Sequence, residues 1–369
     1  MLAKGRALAA MNIVYGVSGE GLGHVFEALE IVPLLRGDGH NVRVLTFGDR
    51  ACSSLAEFQP TRIEGVHLFF DAPGLSLWKT LRQNRNFFPF YLRNGRRLVR
   101  ELAEFRPDLF ITAYEPFTTL AAHCLRRPLI SMDNQNELCH MPRPRGSDAF
   151  AFNLARWATR LVTCGAAEYI VKSFGRRSPS GERVHLVAPI IQREIRRLQP
   201  ANGPHVLVYL TKPNPGLVEV LKSIPETFVV YGQRRAGEDR NVLYRVQGPG
   251  YLRDLASCKA IVGTTGFSLI ADSIYLKKPY FGVPLKKQFE QKHNAEFLRS
   301  SGLGEYSETI SREKLERFFA HLPGYREKLA KIDLDPAEQE VTLRRLIALH
   351  GPKPAPAPEG GFTVSCPEI

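Results

Sequence analysis

The chain has 369 residues, of which 44% are apolar and 24% are charged, values that are ordinary for a globular protein large enough for two domains. Its formal net charge of +13 is the one unusual value, and it predicts an anionic partner without naming it. The cysteines show no paired spacing, which argues against a zinc site or a disulfide framework and favours a reducing cytoplasm. No stretch approaches the roughly 20 apolar residues that a transmembrane helix needs.

The first half of the chain alternates between predicted strands and helices. Residues 1–10 are expected to be a loose leader, with Met11 as an alternative start. A helix is predicted over His24–Arg36, with a bend at Pro33. The predicted strands are Asn12–Val17, Val42–Thr46, Val66–Phe70, Leu109–Thr112, Pro128–Met132, Leu161–Thr163 and Val184–Val187. This alternation predicts a parallel, doubly wound sheet.

A polar stretch with turn residues follows Ile195, so we predict a first domain over 11–198 and a second over 204–350. The second domain repeats the α/β pattern. Its predicted strands are His205–Leu210, Thr227–Tyr231, Lys259–Val262 and Pro279–Val283, and its predicted helices are Gly216–Ser223, Phe267–Tyr275, Gln288–Ser301, Ser311–His321 and Glu338–Leu349. The tail at 351–369 is rich in proline and glycine and is predicted to be disordered.

The most informative motif lies in the second half. The strand that ends at Val262 leads into the turn Gly263-Thr264-Thr265-Gly266 and then into a helix, an arrangement that offers backbone N–H groups to a phosphate. Asp272 follows Gly266 by six residues, where a carboxylate can accept hydrogen bonds from ribose hydroxyls. The motif therefore predicts a nucleotide site.

A second glycine cluster, Gly19, Gly21 and Gly23, follows the first strand and precedes His24. Its spacing suggests a dinucleotide-binding loop, but the glycines are one residue too close together and no acidic residue ends the second strand. A nicotinamide cofactor is therefore disfavoured. The cluster instead predicts a loop that a ligand approaches closely.

Both motifs resemble those of GT-B fold glycosyltransferases, which use nucleotide sugars. Residues 21–29 resemble the N-terminal loop of the lipid-linked peptidoglycan N-acetylglucosaminyltransferase, and residues 272–279 and 290–295 resemble the donor motif of UDP-sugar glucosyltransferases. Residues 108–117 and 133–135 resemble a bacterial and archaeal branch of the same superfamily. The resemblance spans Asn12 to about Leu349. It implies an α/β fold of two doubly wound, Rossmann-like domains facing a cleft.

The resemblance also implies roles for individual residues. Asp272 would bind ribose, Glu290 and Gln291 would contact the donor sugar, and residues 263–266 would face the diphosphate. His24 would be the base or would position the acceptor. The chain departs from the family at Thr264, where many relatives have His or Arg, and at Thr211-Lys212, where a Gly-Gly-Ser turn is expected. Thr211, Lys212, Thr264 and Thr265 are therefore candidates to meet the phosphates, as are the glycines at 19, 21 and 23.

Each candidate also has a structural interpretation. His24 can simply cap or pack against its helix, and Glu290 and Gln291 can simply begin another helix. Glu115 is a second candidate for the base, but it precedes Pro116 and can simply start a helix. A segment from Trp78 to Arg106 mixes arginines with aromatic residues, which suits either an anionic membrane surface or an ordinary solvated helix. No signature of a nucleic-acid-binding protein accompanies it, so nucleic acid is not expected as a partner.

The sequence thus predicts a glycosyltransferase that moves a sugar from a nucleotide-diphosphate sugar, with UDP-sugar expected, to an acceptor hydroxyl with inversion. The nucleotide sugar is a co-substrate, and no cofactor or metal is expected, because helix N-termini and turn amides can stabilise the leaving diphosphate without a metal. The acceptor is predicted to be a glycan, a lipid-linked molecule or a small molecule of the cell envelope. The enzyme is expected in the cytoplasm, with peripheral contact to the inner face of the membrane. A UDP-N-acetylglucosamine 2-epimerase and a degenerate, non-catalytic binder of sugar nucleotides or anionic surfaces remain alternatives.

Overall fold

A computed structural model describes residues 9–20, 23–65, 70–71, 74–75, 82, 84–140, 148–174, 181–211, 213–233, 235–248, 250–285 and 288–351. These residues form two seven-stranded sheets and one two-stranded hairpin. Predictions made for residues 1–8, 66–69 and 352–369, and for Gly21, Trp78, Lys79 and Lys212, lie outside the described residues.

The first sheet is parallel throughout and has the strand order β3-β2-β1-β6-β7-β8-β9. Its strands β1, β2, β3, β6, β7, β8 and β9 span Asn12–Val17, Asn41–Thr46, Thr61–Arg62, Leu109–Ala113, Leu129–Asp133, Glu168–Lys172 and Val184–Val187. The hairpin pairs β4 (Phe70–Asp71) with β5 (Gly74–Leu75). The strand order turns outward in both directions from β1 and β6, as in a doubly wound fold.

The second sheet has the order β12-β13-β11-β10-β14-β15-β16 and is parallel except at its β12–β13 edge. Its strands β10 to β16 span His205–Tyr209, Thr227–Tyr231, Gly237–Asp239, Val242–Tyr244, Ala260–Gly263, Tyr280–Gly282 and Gly304–Tyr306. The chain therefore contains two similar α/β units, which confirms the predicted fold class.

Helices pack on both faces of the sheets. Helices α1 to α14 span Gly23–Gly37, Asp49–Ser54, Phe87–Glu104, Pro116–Cys124, Glu137–His140, Asp148–Val162, Arg193–Arg196, Pro215–Lys222, Gly250–Ser257, Phe267–Tyr275, Phe289–Ser301, Arg312–Ala320, Leu322–Ala330 and Glu338–His350. Single 3-10 turns occur at Ala56–Phe58 and Asn84–Asn86. No helix among the described residues combines the length and apolar composition that crossing a bilayer requires.

The predicted strand over Leu161–Thr163 is wrong. Helix α6 ends at Val162, and Thr163 lies in the turn after it. Thr163 Oγ1 donates a hydrogen bond to the Thr159 carbonyl oxygen at 2.9 Å, as at the end of a helix. The strand in this region is β8, which the sequence analysis missed because Glu168 and Lys172 interrupt its apolar pattern at both ends. The tertiary ladder, with β7 and β9 on either side, stabilises it.

The strand period of two residues divides the first sheet between two apolar cores. Ile13, Tyr15 and Val17 of β1 pack with α1 on one face, whereas Val14 packs with α3 and α4 on the other. All four side chains are fully buried. This two-sided burial explains why the strand reads as a continuous apolar run.

The last helix packs on the first sheet, although it follows the second sheet in the chain. Leu343, Leu346 and Ile347 of α14 belong to the same buried cluster as Ile13 and Ile31. Arg344 also donates to the Asp38 carboxylate after α1, with an Nε–Oδ2 distance of 2.6 Å. The chain therefore crosses back to the first unit, while the predicted domain ranges stay a prediction.

The carboxyl edges of the two sheets face each other. The Asn134 amide, just after β7, donates to the Glu290 carboxylate at the start of α11 with a distance of 3.0 Å. The rings of Phe152 and Phe289 also meet edge to face, with centroids 5.1 Å apart. Ligands of open α/β sheets bind at the carboxyl ends of the strands, so this cleft is the place to look for a site.

Candidate functional site

The turn from Gly263 to Gly266 joins β14 to α10 at the edge of the second sheet. An added Cβ at position 263 would lie 2.8 Å from both the Tyr209 carbonyl oxygen and the Tyr280 hydroxyl, so this position requires glycine. At Gly266, an added Cβ would meet nothing within 4 Å, and no side chain caps the helix. The N-terminus of α10 therefore has no cap from a described side chain and has space beside Gly266, and its backbone N–H groups and dipole favour an anion there.

The two threonines of this turn have different roles. Thr264 Oγ1 lies 2.8 Å from Thr211 Oγ1, so these two hydroxyls form a pair where β10 and β14 end. Thr265 is fully buried, and its hydroxyl donates to the Gln291 carbonyl oxygen at 2.7 Å. Asn294 Nδ2 donates to the Thr265 carbonyl oxygen at 3.1 Å. Thr265 thus holds the turn against α11, and the Thr211–Thr264 pair is the one left near the anion site.

Asp272 lies inside α10, about a turn and a half after Gly266. Its side chain is buried beside Tyr251 and has no hydrogen bond to any described residue. Burial raises the pKa of this carboxyl to about 7. A buried carboxyl without hydrogen-bond partners is costly for the fold, and hydroxyl groups of a bound ligand would supply the missing donors.

Glu290 and Gln291 lie in the first turn of α11, and their side chains have different hydrogen-bond partners. Glu290 is exposed and accepts the hydrogen bond from Asn134 across the cleft. Gln291 Oε1 accepts a hydrogen bond from the Leu285 backbone N–H at 3.0 Å, and so it orders the loop of its own domain. Contact of either residue with a donor sugar stays a prediction.

The loop that contains Gly19 and Gly23 lies against the turn from Gly263 to Gly266 and the start of α10. A Cβ at Gly19 would come within 1.8 Å of the Phe47 carbonyl oxygen, so packing against the end of β2 requires this glycine. A Cβ at Gly23 would lie 3.3 Å from the Ser268 hydroxyl in the first turn of α10. Gly23 therefore lets the two helix N-termini approach each other, which places the next residue, His24, beside the open anion site.

His24 is nearly buried, with 6% of its surface exposed. Its ring lies parallel to that of Tyr114, with centroids 6.3 Å apart and an interplanar angle of 10°. Its Nε2 atom is 3.4 Å from Gln135 Nε2, and its buried Nδ1 atom has no hydrogen-bond partner among the described residues. The imidazole is thus held between the ends of β6 and β7 in a position that can exchange a proton.

Tyr114 and Gln135 were missed as site residues by the sequence analysis. Tyr114 has a φ of 58°, a left-handed conformation that is strained for a side chain of this size. Its hydroxyl is 3.2 Å from Thr159 Oγ1, and burial raises its pKa to about 12. The available signal was position, because both residues lie within two residues of the carboxyl ends of adjacent central strands.

Glu115 caps α4. Its Oε1 accepts a hydrogen bond from the Phe117 backbone N–H at 2.9 Å, and its Oε2 accepts one from the Thr118 backbone N–H at 2.7 Å. The Thr118 hydroxyl also donates to Oε2, at 2.5 Å. Burial raises the pKa of Glu115, against the effect of these hydrogen bonds. Both oxygens are occupied in a fully buried place, so the geometry favours the structural interpretation.

Among the residues that the structure describes, no three His, Cys, Asp or Glu side chains are grouped so that they could hold a metal ion. The cysteines within the described part of the chain are free thiols. The groups described above in the cleft are a helix N-terminus, a buried carboxyl and an imidazole.

The comparison with family models agrees with this geometry. Residues 11–323 match the model of glycosyl transferase family 1. The chain belongs to this family. The glycosyltransferase is thus a transferase enzyme of GT-B architecture, as the sequence predicted, and neither the epimerase nor the non-catalytic binder is favoured. Its closer resemblance to the peptidoglycan and UDP-glucosyltransferase branches stays a prediction.

Solved structures show the same fold. The glycosyltransferase is similar to the glycotransferase of kitacinnamycin, with 19% identity, a TM-score of 0.65 and coverage of 93% of this chain and 100% of that one. It is similar to SnogD from Streptomyces nogalater, with 19% identity, a TM-score of 0.57 and coverage of 93% and 100%. It is also similar to the spinosyn rhamnosyltransferase SpnG complexed with thymidine diphosphate, with 13% identity, a TM-score of 0.61 and coverage of 91% and 100%. A comparison with curated proteins finds no match.

Proposed function

We propose that this glycosyltransferase moves a sugar from a nucleotide-diphosphate sugar to an acceptor hydroxyl with inversion at the anomeric carbon. The observation that carries the proposal is the pairing of an open helix N-terminus at Gly266 with the buried, unpartnered carboxyl of Asp272. The first suits a diphosphate and the second suits ribose hydroxyls. The nucleotide would therefore lie on the second domain, with the sugar directed at the first.

In this mechanism His24 is the general base. As the acceptor oxygen attacks the anomeric carbon, Nε2 takes the hydroxyl proton, and the bond from the anomeric carbon to the phosphate oxygen breaks with its electron pair on the leaving nucleoside diphosphate. The backbone N–H groups before α10 stabilise the charge that develops on this leaving group. The contact between Gly23 and Ser268 supports this arrangement, because it places base and leaving group on facing helix ends.

We further propose that the enzyme needs neither cofactor nor metal. Activity that survives prolonged treatment with a chelator would support this, and loss of activity that a divalent cation restores would contradict it.

The nucleotide itself is best found by direct measurement. Sequence resemblance favours a uridine nucleotide, whereas two similar structures hold thymidine diphosphate. We expect one member of a panel of UDP-, dTDP- and GDP-sugars to raise the melting temperature, because a ligand that binds only the folded state stabilises it by mass action. Stabilisation by none of them would contradict the proposed donor class.

The role of His24 is tested by His24→Ala. General-base help contributes about 10²- to 10⁴-fold in rate, so turnover should fall by that order while donor affinity, measured by calorimetry, changes little. Incubation of the wild-type enzyme with donor alone should yield no interconverted sugar, because a transferase, unlike an epimerase, needs an acceptor. A variant with wild-type turnover on its true acceptor would show that His24 is structural.

We also propose a cytoplasmic enzyme that contacts an anionic membrane surface while it acts on a glycan, a lipid-linked or a small-molecule acceptor of the cell envelope. The support is helix α3, where Arg93, Arg96 and Arg97 are exposed and Leu92 is 84% exposed. Cations with an apolar side chain beside them suit the interface of an anionic bilayer.

A further inference from the structure

A buried charge cluster lies directly behind His24. Glu27, one turn further along α1, has no exposed surface. Its Oε2 accepts a hydrogen bond from Lys172 Nζ at the end of β8, at 2.6 Å, and its Oε1 accepts one from the Gln339 amide of α14. The same Oε2 is 3.8 Å from His24 Nδ1. Three elements that are distant in sequence thus converge on one carboxylate.

The carboxylate is held in its charged form. Burial raises the pKa of Glu27, but the positive charge of Lys172, together with His24 at 3.8 Å, outweighs burial and leaves the pKa below its ordinary value. Tyr15 of β1, the other titratable neighbour of Glu27, is neutral because burial, and then the charge of Glu27, raise its pKa well above its usual range. A fixed negative charge therefore lies behind the imidazole.

The contacts of His24 also set which nitrogen carries the proton. The neighbour of Nε2 is an amide nitrogen of Gln135, at 3.4 Å, and an amide nitrogen can only donate. Nε2 is then the acceptor and Nδ1 carries the hydrogen. Among the described residues this N–H has no hydrogen-bond partner, and the Glu27 carboxylate lies 3.8 Å from it. The ring of Tyr114, which stacks on His24, is uncharged because burial raises its pKa to about 12.

We infer that Glu27 is the positioning residue for His24, on the premise that His24 is the general base proposed above. The acceptor hydroxyl replaces the long contact with Gln135 and gives its proton to Nε2. The resulting imidazolium keeps its Nδ1–H directed at Glu27, whose charge stabilises it, and later releases the Nε2 proton to solvent. Glu115 cannot take this role, because both its oxygens are occupied by the start of α4. Lys172 and Gln339 act on the base through Glu27.

The test compares Glu27→Gln, the double variant Glu27→Gln with Lys172→Met, and Glu30→Gln. The single variant leaves Lys172 without its partner, and the double variant removes that buried charge, so that loss of folding and loss of catalysis are separated. Glu30 is the matched control, because it is a nearly buried glutamate of the same helix that pairs with Arg193 and Arg196 instead of His24.

We expect Glu27→Gln to lower kcat by about 10- to 100-fold, in the range seen for residues that orient a reactive group, with donor affinity unchanged. The acidic limb of the pH–rate profile should move to lower pH, because imidazolium loses its negative neighbour. The double variant should regain the wild-type melting temperature without regaining kcat or the position of that limb. Glu30→Gln should change neither. A double variant with wild-type kcat and pH profile would overturn the inference.

A measurement on the ligand-free protein distinguishes a failure of this inference from a failure of the proposed function. The imidazole of His24 can be titrated by NMR in the ligand-free protein, in wild type and in the double variant. A midpoint at lower pH in the variant supports the contact with Glu27 even if no donor is consumed, and an unchanged midpoint overturns it. Absence of turnover in wild type with the full donor panel would instead contradict the proposed function.

Discussion

At the scale of single residues, the candidate site is made of groups whose burial conflicts with their chemistry. Asp272 is a buried carboxyl that accepts no hydrogen bond from the described residues, and Tyr114 is a bulky residue in a left-handed conformation. Such features destabilise the ligand-free protein, and they persist where a ligand or a reaction uses them.

Asp272→Ala should weaken binding of the nucleoside diphosphate by about 10- to 100-fold. The change removes a hydrogen bond to a charged group, worth about 1.5–3 kcal/mol, while the fold is retained. Calorimetry with the diphosphate checks this. Asp333→Ala, which truncates an exposed aspartate of the same domain, serves as the control, and equal affinity of wild type and Asp272→Ala would remove Asp272 from the site.

Asp272 also predicts a pH dependence of stability. Its folded-state pKa of about 7 lies above that of the unfolded chain, about 3.9, so the stability it contributes is complete below pH 3.9 and is lost as the pH rises through about 7. Asp272→Asn should therefore be more stable than wild type at pH 8, and the advantage should shrink toward pH 4. Thermal unfolding across this range measures it. A difference that does not vary with pH would show that the carboxyl is already ionised in the fold.

At the scale of elements, the site depends on how helices begin. Helix α10 follows Gly266 without a side-chain cap, which leaves its first N–H groups for a ligand. Helix α4 instead follows Glu115, whose carboxylate accepts hydrogen bonds from the Phe117 and Thr118 N–H groups. Two helix N-termini at the edges of facing sheets thus have opposite uses, one for binding and one for folding.

Glu115→Ala should lower the free energy of unfolding by about 2–3 kcal/mol, because two buried backbone N–H groups lose their acceptor. Denaturant unfolding measures this effect. Asn214→Ala is the matched control: Asn214 caps α8 through one hydrogen bond, at 3.1 Å to the Leu217 N–H, in a half-buried place, so about 1 kcal/mol is expected. A Glu115→Ala protein with wild-type stability but no turnover would restore Glu115 as the candidate base.

At the scale of the whole molecule, two α/β units face each other, and the last helix belongs by packing to the first. Asn134 and Glu290 join the units across the cleft, and Phe174 of the first stacks on Phe267 of the second with centroids 4.2 Å apart. Gln339 of α14 reaches Glu27 behind His24. The helix that follows the second unit therefore completes the surroundings of the proposed base in the first.

The basic surface is tested on the whole protein. Replacing Arg93, Arg96 and Arg97 with Gln should abolish most flotation with vesicles that contain anionic lipid, since each cation near such a surface contributes about 1 kcal/mol. Flotation of wild type should also weaken with salt. Replacing the exposed Arg253, Arg312 and Lys331 of the second unit removes the same charge elsewhere. Equal flotation of both triple variants would show that α3 is not the membrane-binding surface.

The sequence by itself determined the elements whose signals are local. A continuous apolar run predicted β1, and the glycines at 263 and 266 marked the turn before α10, both with the bounds that the structure shows. Such signals depend only on neighbours along the chain, and the turn before α10 was therefore found without coordinates.

Only the tertiary structure decided which residues surround His24. Tyr114, Gln135 and Gln339 come from three separate segments, and Glu27 looks in sequence like any polar residue of an amphipathic helix. Strand β8 was missed for the same reason, since its ladder with β7 and β9 compensates for charged residues at its ends. Contacts between distant segments leave no periodic trace along the chain, because they arise from the stacking of whole elements.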